Sequence, residues 1–447
     1  MIVEVLYIIV LFIVIGITFA GFKRPIYESM FYGYVALILI TGEAGNFFQY
    51  IIKTSSDTLF YSIIAFLVLA KILDSTHAVD TIIALIISVF GRFRGGAGLT
   101  AVLGSTFMGA LSGSGAGNVA TTGVFTIPAM KKTGFPDYLA ANIECSASTM
   151  GNMIPPSAGI LAALACYNEF SGEEMSQSTF WVAMWGVAIW FIVQRIITLF
   201  VFCKIYNVQP MNKEDIPSIK TTLKEGWKNL LLPVIIIAPF ILDYLFKSTF
   251  FTERLGSGAS NFSSCLLLFT PGVAAIYAIV VNRKNIKISM VEYIGESVSG
   301  IVPVGATIFF AYCISNLFLS TNIGAEIGAI IQNWNMPLVV LAFLIPLVTA
   351  VLGMVLPGSA QTKIFGGTII AVFAAAGGNP LLAAIMLPVI TGAMEGMTPP
   401  LALCMYTAMG IAGSDMKSKT KNCMIWVLIH YLMSVLCLLG ILPVIGL

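Results

Sequence analysis

Two stretches of small polar residues interrupt long apolar segments of this sequence: SGSGAGN at 112–118 and PGSAQTK at 357–363. Their hydroxyl and amide oxygens, together with backbone carbonyls freed where a helix ends, are hard ligands for cations. Oxygen-only ligands favour Na⁺ over transition metals, which prefer imidazole or thiolate. Helix N-termini at the same places attract anions through their free amides. The stretches therefore favour a site that holds cations together with an anionic group.

A double proline follows each stretch after about forty residues, in GNMIPPSAG (151–159) and EGMTPPLA (395–402). Proline lacks a backbone donor and clashes with the preceding turn, so each helix must stop and restart. In hydrocarbon the freed groups cost several kcal/mol unless protein, water, an ion or a substrate satisfies them. Close helix packing explains single small residues in membrane helices. It does not explain a polar stretch and a double proline that recur at matched spacing.

The polar side chains at these breaks form two candidate cation shells, one in each half of the chain. The first shell takes its side-chain oxygens from Ser112, Ser114, Asn118 and Asn152. The second shell takes its side-chain oxygens from Ser359, Gln361, Thr362 and Thr398. The candidate contacts of an anionic substrate are Ser114, Asn118, Ser359, Gln361 and Lys363.

Three ionisable residues lie inside the apolar repeats, where a charge is costly and usually functional. Lys363 either meets a carboxylate of the substrate or pairs with Glu395. Glu395 precedes the second double proline, and we expect it to hold that break together by hydrogen bonds rather than to relay protons. For Glu144 we expect a structural hydrogen bond. Pro156 and Pro400 complete the two breaks as structural residues.

The composition indicates what kind of scaffold must position these residues. Of 447 residues, 58% are apolar and 10% are charged, so we predict a polytopic all-α membrane protein. The 23 Lys and Arg nearly balance the 21 Asp and Glu and form no basic face, which argues against nucleic acid as a partner. The eight cysteines are expected to be small core residues, and the two histidines have no nearby ligands for a metal site.

Apolar runs of about 20 residues can cross roughly 30 Å of hydrocarbon as helices. The ten candidate spans are 3–20, 26–41, 57–73, 138–166, 178–203, 229–246, 262–282, 299–318, 380–412 and 422–445. The stretches 97–130 and 337–375 are interrupted into halves too short to span, which predicts two re-entrant helical hairpins. Amphipathic stretches at 80–90 and 324–334 are expected to lie in the membrane interface.

The two halves repeat the same order of elements from opposite sides of the membrane, which predicts an inverted repeat. The first repeat is 1–203, with a hairpin and the broken helix 138–166; a cytoplasmic linker, 204–228, follows. The second repeat is 229–447, with a hairpin and the broken helix 380–412. Because basic loops stay in the cytoplasm, the first hairpin enters from the cytoplasm and the second from outside, and both chain ends lie outside.

The motifs at the breaks resemble those of a known family. GALSGSGAGNVATTGVFTIPAMKKTGF (109–135), IECSASTMGNMIPPSAG (143–159) and EGMTPPLALCMYTAMGIAG (395–413) are similar to the large membrane subunit of TRAP transporters, the tripartite ATP-independent periplasmic systems. The resemblance covers nearly the whole chain. The first hairpin and ASTMGNMIPP look closest to the branch whose binding proteins are called TAXI, whereas the second hairpin, VLPGSAQTKIFGG, departs from that branch.

This resemblance implies an elevator-type secondary transporter of the bacterial cytoplasmic (inner) membrane, in which a mobile domain holding both hairpins slides against a scaffold. It implies Na⁺-driven uptake of a small organic anion such as a carboxylic acid. The implied partners are an extracytoplasmic substrate-binding protein and a separate small four-span membrane subunit in the same lipid bilayer. The family's Na⁺ sites, carried over to matching positions, fall on Ser112, Gly113, Ser114, Asn118, Gly151, Asn152 and Pro155, and on Gly358, Ser359, Thr362, Gly396, Thr398 and Pro399.

Three other functions stay open beside this one. A stand-alone divalent-anion/Na⁺ symporter has a related architecture and needs no partner protein. An ion channel is disfavoured because the polar breaks form an inverted pair that suits alternating access, and no filter motif stands out. An intramembrane enzyme is disfavoured because the embedded acids are few and separated. We therefore expect no enzymatic activity and no metal ion other than Na⁺.

Overall fold

The computed structural model describes residues 2–112, 115–256, 258–284, 290–321, 336–354, 356–398 and 402–445. Every regular element in these ranges is a helix, which confirms the all-α class for the described part of the chain. In chain order the α-helices are α1 (Ile2–Gly16), α2 (Ile26–Ile40), α3 (Phe47–Ser55), α4 (Thr58–Ser75), α5 (Ala78–Phe90), α6 (Gly96–Ser112), α7 (Gly115–Lys132), α8 (Asp137–Thr149), α9 (Ala158–Ser171), α10 (Gln177–Ile205), α11 (Ile219–Gly226), α12 (Leu231–Phe246), α13 (Thr252–Leu255), α14 (Gly258–Asn282), α15 (Met290–Ser320), α16 (Leu338–Leu352), α17 (Gly358–Ala375), α18 (Pro380–Glu395), α19 (Leu403–Ala412) and α20 (Met416–Leu438).

Three helices within the described ranges are long and apolar enough to cross a membrane: Gln177–Ile205, Ile301–Phe318 and Lys417–Leu438. Two further pairs of helices, bent by 51° and 76°, qualify if each pair is one span. Several of the other predicted spans correspond to shorter apolar helices of 10–17 residues. Helix length and composition therefore support up to five spans, and the count of ten stays a prediction.

The last predicted span, 422–445, is shorter in the structure because α20 ends at Leu438. Gly440 follows with a φ of 69°, a left-handed conformation that glycine adopts without strain. The segment beyond it contacts α10, where the indole of Trp190 donates a hydrogen bond of 2.8 Å to the carbonyl of Pro443. Residues 443–445 therefore lie beyond the helix and pack beside α10.

Both predicted broken helices are interrupted at the double prolines. α8 ends at Thr149, a 3₁₀ turn covers Met150–Met153, and α9 begins after Pro155 and Pro156, whose peptide bond is cis. The Ser157 hydroxyl caps α9 by accepting a hydrogen bond of 3.3 Å from the amide of Ile160. The second break separates α18 from α19, and Pro399 and Pro400 within it lie outside the described residues.

The two stretches predicted to be hairpins each contain a pair of helices. α6 and α7 pack on one another and on α8, and the residues between them, Gly113 and Ser114, lie outside the described ranges. α16 is followed by α17 after a short connection, and α17 packs on α18. Their re-entrant course in a bilayer stays a prediction.

Shorter helices add to the predicted elements. α5 covers the first predicted interfacial stretch, whereas 324–334 lies outside the described residues. The predicted linker 204–228 contains α11. α3 lies between two predicted spans and was not predicted; it packs on α15, with a hydrogen bond of 2.7 Å between the hydroxyls of Tyr50 and Ser320.

The two halves of the chain are interleaved around the breaks. α9 of the first half packs on α17 and α18 of the second, and α19 of the second half packs on α7 and α8 of the first. Buried apolar residues also join α17 to α1, α2 and α15. The helices that flank the two breaks are therefore packed on helices from the other half of the chain.

Candidate functional site

The first break touches the helix that leads into the second. The amide Nδ2 of Asn152 donates a hydrogen bond of 2.7 Å to the carbonyl of Gly392 in α18. One face of the same helix meets α17, where the hydroxyls of Thr362 and Thr391 are 2.8 Å apart. Asn152 and Thr362, predicted members of different shells, therefore contact the same helix.

Glycines allow the backbones at these crossings to approach closely. A Cβ atom on Gly151 would lie 2.0 Å from the carbonyl carbon of Gly109 in α6. A Cβ atom on Gly358 would lie 2.4 Å from the Cα of Gly392. Real Cβ atoms do not approach backbone this closely, so these positions accept only glycine in the present packing.

The start of α7 also reaches the second break through a cysteine. The Sγ atom of Cys404 would lie 2.4 Å from a Cβ on Gly115 and 2.7 Å from a Cβ on Gly396. The thiol therefore fills the space between hairpin 1, here meaning α6 with α7, and the residues that follow α18. Sequence reasoning treated Cys404 only as a core residue.

Among the described residues, four buried amide side chains keep an oxygen without a hydrogen-bond partner: Asn118, Asn142, Gln177 and Gln361. Two of them, Asn118 and Gln361, belong to the predicted shells. Asn118 in α7 donates from Nδ2 to the carbonyl of Ser105 at 2.6 Å, and its Oδ1 has no partner. Gln361 in α17 donates from Nε2 to the carbonyl of Leu356 at 2.9 Å, and its Oε1 has no partner. A buried acceptor without a partner costs about 1–3 kcal/mol, so a hydrogen-bond donor or a cation bound at either oxygen would recover that cost.

These two amides occupy similar places in the two halves. The Nδ2 of Asn118 would lie 3.0 Å from a Cβ on Gly109, in the helix before it, and the same Cβ would be 2.8 Å from the carbonyl oxygen of Ser148. The Nε2 of Gln361 would lie 3.3 Å from a Cβ on Gly353, which is 3.2 Å from the Cα of Glu395. Each amide therefore lies where its own hairpin contacts the helix that ends at the following break.

A carboxylate with four hydroxyl neighbours holds hairpin 1 to α8. Glu144 is fully buried, and its Oε1 accepts from Ser105 and Thr122 at 2.6 Å each and from Ser148 at 3.1 Å. Its Oε2 accepts from Thr126 at 2.5 Å. This arrangement agrees with the structural role expected for Glu144. The hydroxyl residues are a helical turn apart in α7, but nothing in the sequence assigned them to Glu144.

The other two embedded charges have separate partners. The amide of Gly358, at the start of α17, donates to the Oε2 of Glu395, so this carboxylate caps α17 and joins it to α18. The ammonium of Lys363 lies 2.5 Å from Glu169 of α9 and 4.6 Å from the ring centre of Tyr312. Lys363 thus pairs with Glu169 and not with Glu395, and its contact with a substrate stays a prediction.

The remaining predicted site residues are placed as follows. Pro155 and Pro156 are buried at the first break, and Ser359 is half-buried in the first turn of α17. Thr398 donates its hydroxyl to the carbonyl of Met394 at 2.9 Å, and the carbonyl of Gly396 accepts from the amide of Met405 at 3.1 Å. The backbone of Ser112 ends α6. The predicted site residues outside the described ranges are Gly113, Ser114, Pro399 and Pro400.

The chemistry of this region is that of oxygen atoms, hydroxyls and helix ends. Among the residues that the structure describes, no group of three or more His, Cys, Asp or Glu side chains is arranged to hold a metal ion. Carbonyl and amide oxygens at broken helices suit a weakly bound alkali cation, whose ligands need no deprotonation. Which of these atoms bind an ion stays a prediction.

Comparisons with known proteins match most of the chain to one transporter family. Residues 47–445 match the family described as "Tripartite ATP-independent periplasmic transporter, DctM component". The C4-dicarboxylate TRAP transporter large permease protein DctM of Vibrio cholerae is 24% identical over 379 residues, covering 83% of this chain and 81% of that protein. The ectoine TRAP transporter large permease protein TeaC of Halomonas elongata is 22% identical over 215 residues, covering 48% of this chain and 46% of that protein. The structure of MtrF from Neisseria gonorrhoeae, described as illuminating a class of antimetabolite efflux pumps, superposes with a TM-score of 0.63 at 14% identity, covering 90% of this chain and 85% of that chain, and so shares the fold alone.

Proposed function

The chain belongs to the DctM family, the large permease subunit of tripartite ATP-independent periplasmic transporters, and from this premise we propose that it couples Na⁺ entry to the uptake of an organic anion. Family membership and the apolar helices indicate a multi-pass protein of the inner membrane. We infer that it works with a small four-span membrane subunit and an extracytoplasmic binding protein, and that both chain ends lie outside.

The observation that carries Na⁺ coupling is that each predicted shell contains a buried amide oxygen with no hydrogen-bond partner among the described residues, Asn118 Oδ1 in one and Gln361 Oε1 in the other. Each lies beside a glycine crossing and a broken helix, where backbone carbonyls supply further oxygen ligands. A cation at each place would satisfy an acceptor that protein groups leave open. Two such places in opposite halves fit two cation sites related by the inverted repeat.

The anionic substrate is supported by the N-termini of the two helices that carry those oxygens. α17 begins at Gly358 beside Ser359, and α7 begins at Gly115, so two helix N-termini face the region where the halves meet. Helix N-termini favour carboxylates through free amides and the helix dipole. The amide of Gly358 already donates a hydrogen bond to Glu395. Ser359 and the neighbouring backbone are the proposed contacts of the substrate.

The test of Na⁺ coupling compares three variants of the purified chain. Asn118→Leu and Gln361→Met each remove one proposed cation oxygen, and Asn229→Leu removes a buried amide that is paired with Asn282 in a different part of the fold. We measure thermal unfolding in NaCl and in choline chloride of equal ionic strength, because a bound ion stabilises the folded state by mass action. We expect Na⁺ to raise the unfolding temperature of the wild type and of Asn229→Leu.

Each of the two site variants should lower the apparent Na⁺ affinity about tenfold, the equivalent of about 1.4 kcal/mol. Uptake of labelled succinate and ectoine is then measured in proteoliposomes that contain the small subunit and the binding protein. If Na⁺ raised the unfolding temperature of both site variants as much as that of the wild type, these two oxygens would not be Na⁺ ligands. Uptake that ignores the Na⁺ gradient would remove the coupling itself.

A further inference from the structure

A cavity of about 190 Å³ lies at the first break, where Pro155 and Pro156 form part of its wall. Its wall is formed by α6, by the double proline after α8, and by α10 and α12. Thr106, Pro156 and Ile236 form part of the buried wall. Trp185 and Ile237 are half-buried members of the wall, and the cavity is partly open.

The chemistry of the wall suits an apolar ligand. The residues lining it are aliphatic, aromatic or proline, except for Thr106, whose hydroxyl has no hydrogen-bond partner among the described residues. Cavities with such walls exclude water, and one of about 150 Å³ is large enough to hold benzene. A carboxylate or a hydrated ion would lose its hydrogen bonds here, so neither the substrate nor Na⁺ fits this cavity.

The cavity adjoins a surface that faces hydrocarbon. α10 is one of the helices long and apolar enough to cross the membrane, and α12 lies in a bent pair that also qualifies. Near their lining residues in sequence these helices expose apolar side chains, with 47% of Ile189, 41% of Val193 and 55% of Val234 accessible. In a bilayer these side chains contact lipid tails, so the nearest apolar molecule to the cavity is an acyl chain.

We propose that this cavity binds one acyl chain of a membrane phospholipid, inserted between α10 and α12 on one side and the first broken helix on the other. The acyl chain would fill the cavity and would give Ile236 and Pro156 dispersion contacts that they lack when the cavity is empty. This proposal rests on the apolar wall and on the exposed apolar side chains beside it, so it does not depend on the function proposed above.

The test uses vesicles of phosphatidylethanolamine and phosphatidylglycerol with a small fraction of a phospholipid that carries a diazirine on its acyl chain. After illumination, cross-linked residues are located by mass spectrometry. We expect adducts on the buried wall, at Thr106 or Ile236, as well as on lipid-exposed Val193 and Val234. Ile237→Phe fills the cavity, and Ile241→Phe makes the same change at a residue on α12 that is 52% exposed and does not line it.

Ile237→Phe should lower the yield of buried-wall adducts about tenfold, which corresponds to about 1.4 kcal/mol of binding free energy. Ile241→Phe should leave that yield unchanged, and adducts at Val193 and Val234 report that each variant is folded and inserted. If Ile237→Phe does not insert, Ile192→Phe fills the cavity from α10. Adducts confined to exposed residues in the wild type, or buried adducts that persist in a filled variant, would overturn the proposal.

Discussion

At the scale of single residues, the buried polar groups divide by whether their hydrogen bonds are complete. Both carboxylate oxygens of Glu144 accept hydrogen bonds from hydroxyl groups of hairpin 1, so this side chain holds α8 to hairpin 1. Asn118 and Gln361 each use their NH₂ group and leave the oxygen open. Both kinds of residue are polar and lie in apolar segments of the sequence, and only the structure shows which of them keeps an acceptor open among the described residues.

Replacing Glu144 with leucine should destabilise the protein, because Ser105, Thr122 and Thr126 would lose a shared buried acceptor. We expect a loss of about 1–3 kcal/mol, the range for leaving buried polar groups without a partner. The measurement is thermal unfolding in detergent, with the exposed Glu174→Leu as control. Equal unfolding temperatures for the two variants would show that the hydroxyl cluster adds nothing to stability.

At the scale of elements, glycine crossings decide how close the broken helices come. Gly109 with Gly151 joins hairpin 1 to the first break, and Gly358 with Gly392 joins α17 to α18. These contacts set the position of the carbonyls at each break. Helical glycines elsewhere, such as Gly367 and Gly410, have open space around them and carry no such constraint.

Alanine at Gly151 or Gly358 should therefore force backbone apart, whereas Gly367→Ala and Gly410→Ala should not. We expect each crossing variant to lose about 1–3 kcal/mol of stability through overpacking. The controls should be neutral or slightly stabilised, because alanine favours helix. Thermal unfolding measures both effects, and crossing variants as stable as their controls would contradict the packing at the breaks.

At the scale of the whole molecule, the proposed transport requires parts of this fold to move past each other. The resemblance assigns both hairpins to a mobile domain, and α17 of the second hairpin contacts α1 through stacked rings of Phe12 and Phe365, 5.9 Å apart. The rings of Phe31 and Phe310 are 5.2 Å apart between α2 and α15, which carry no hairpin residue. We therefore propose that the first ring pair lies at a sliding contact and the second at a fixed contact.

Cysteines at Phe12 and Phe365, in a background without the eight native cysteines, should allow a short cross-linker to stop Na⁺-driven succinate uptake in the full complex. Uptake should fall at least about tenfold when the link forms and return on cleavage of a reducible linker. A link between cysteines at Phe31 and Phe310 should leave uptake intact. Full uptake with the first pair linked would rule out sliding at this contact.

The sequence by itself determined the membrane class, the all-α fold and the positions of the helix breaks. An apolar composition indicates directly that the chain lies in a membrane. A double proline ends a helix through the chemistry of its own backbone, without contacts to residues far along the chain. The oxygen-rich stretches were found for the same reason, since their residue types and spacing are local.

Only the tertiary structure decided which of those residues have partners. Glu144 meets hydroxyls of hairpin 1, Lys363 meets Glu169 instead of Glu395, and Asn152 meets Gly392 from the other half of the chain. These contacts join residues that are far apart in sequence, and they depend on how the halves interleave. The cavity beside Pro156 has the same origin, because its walls come from four separate segments that no local pattern brings together.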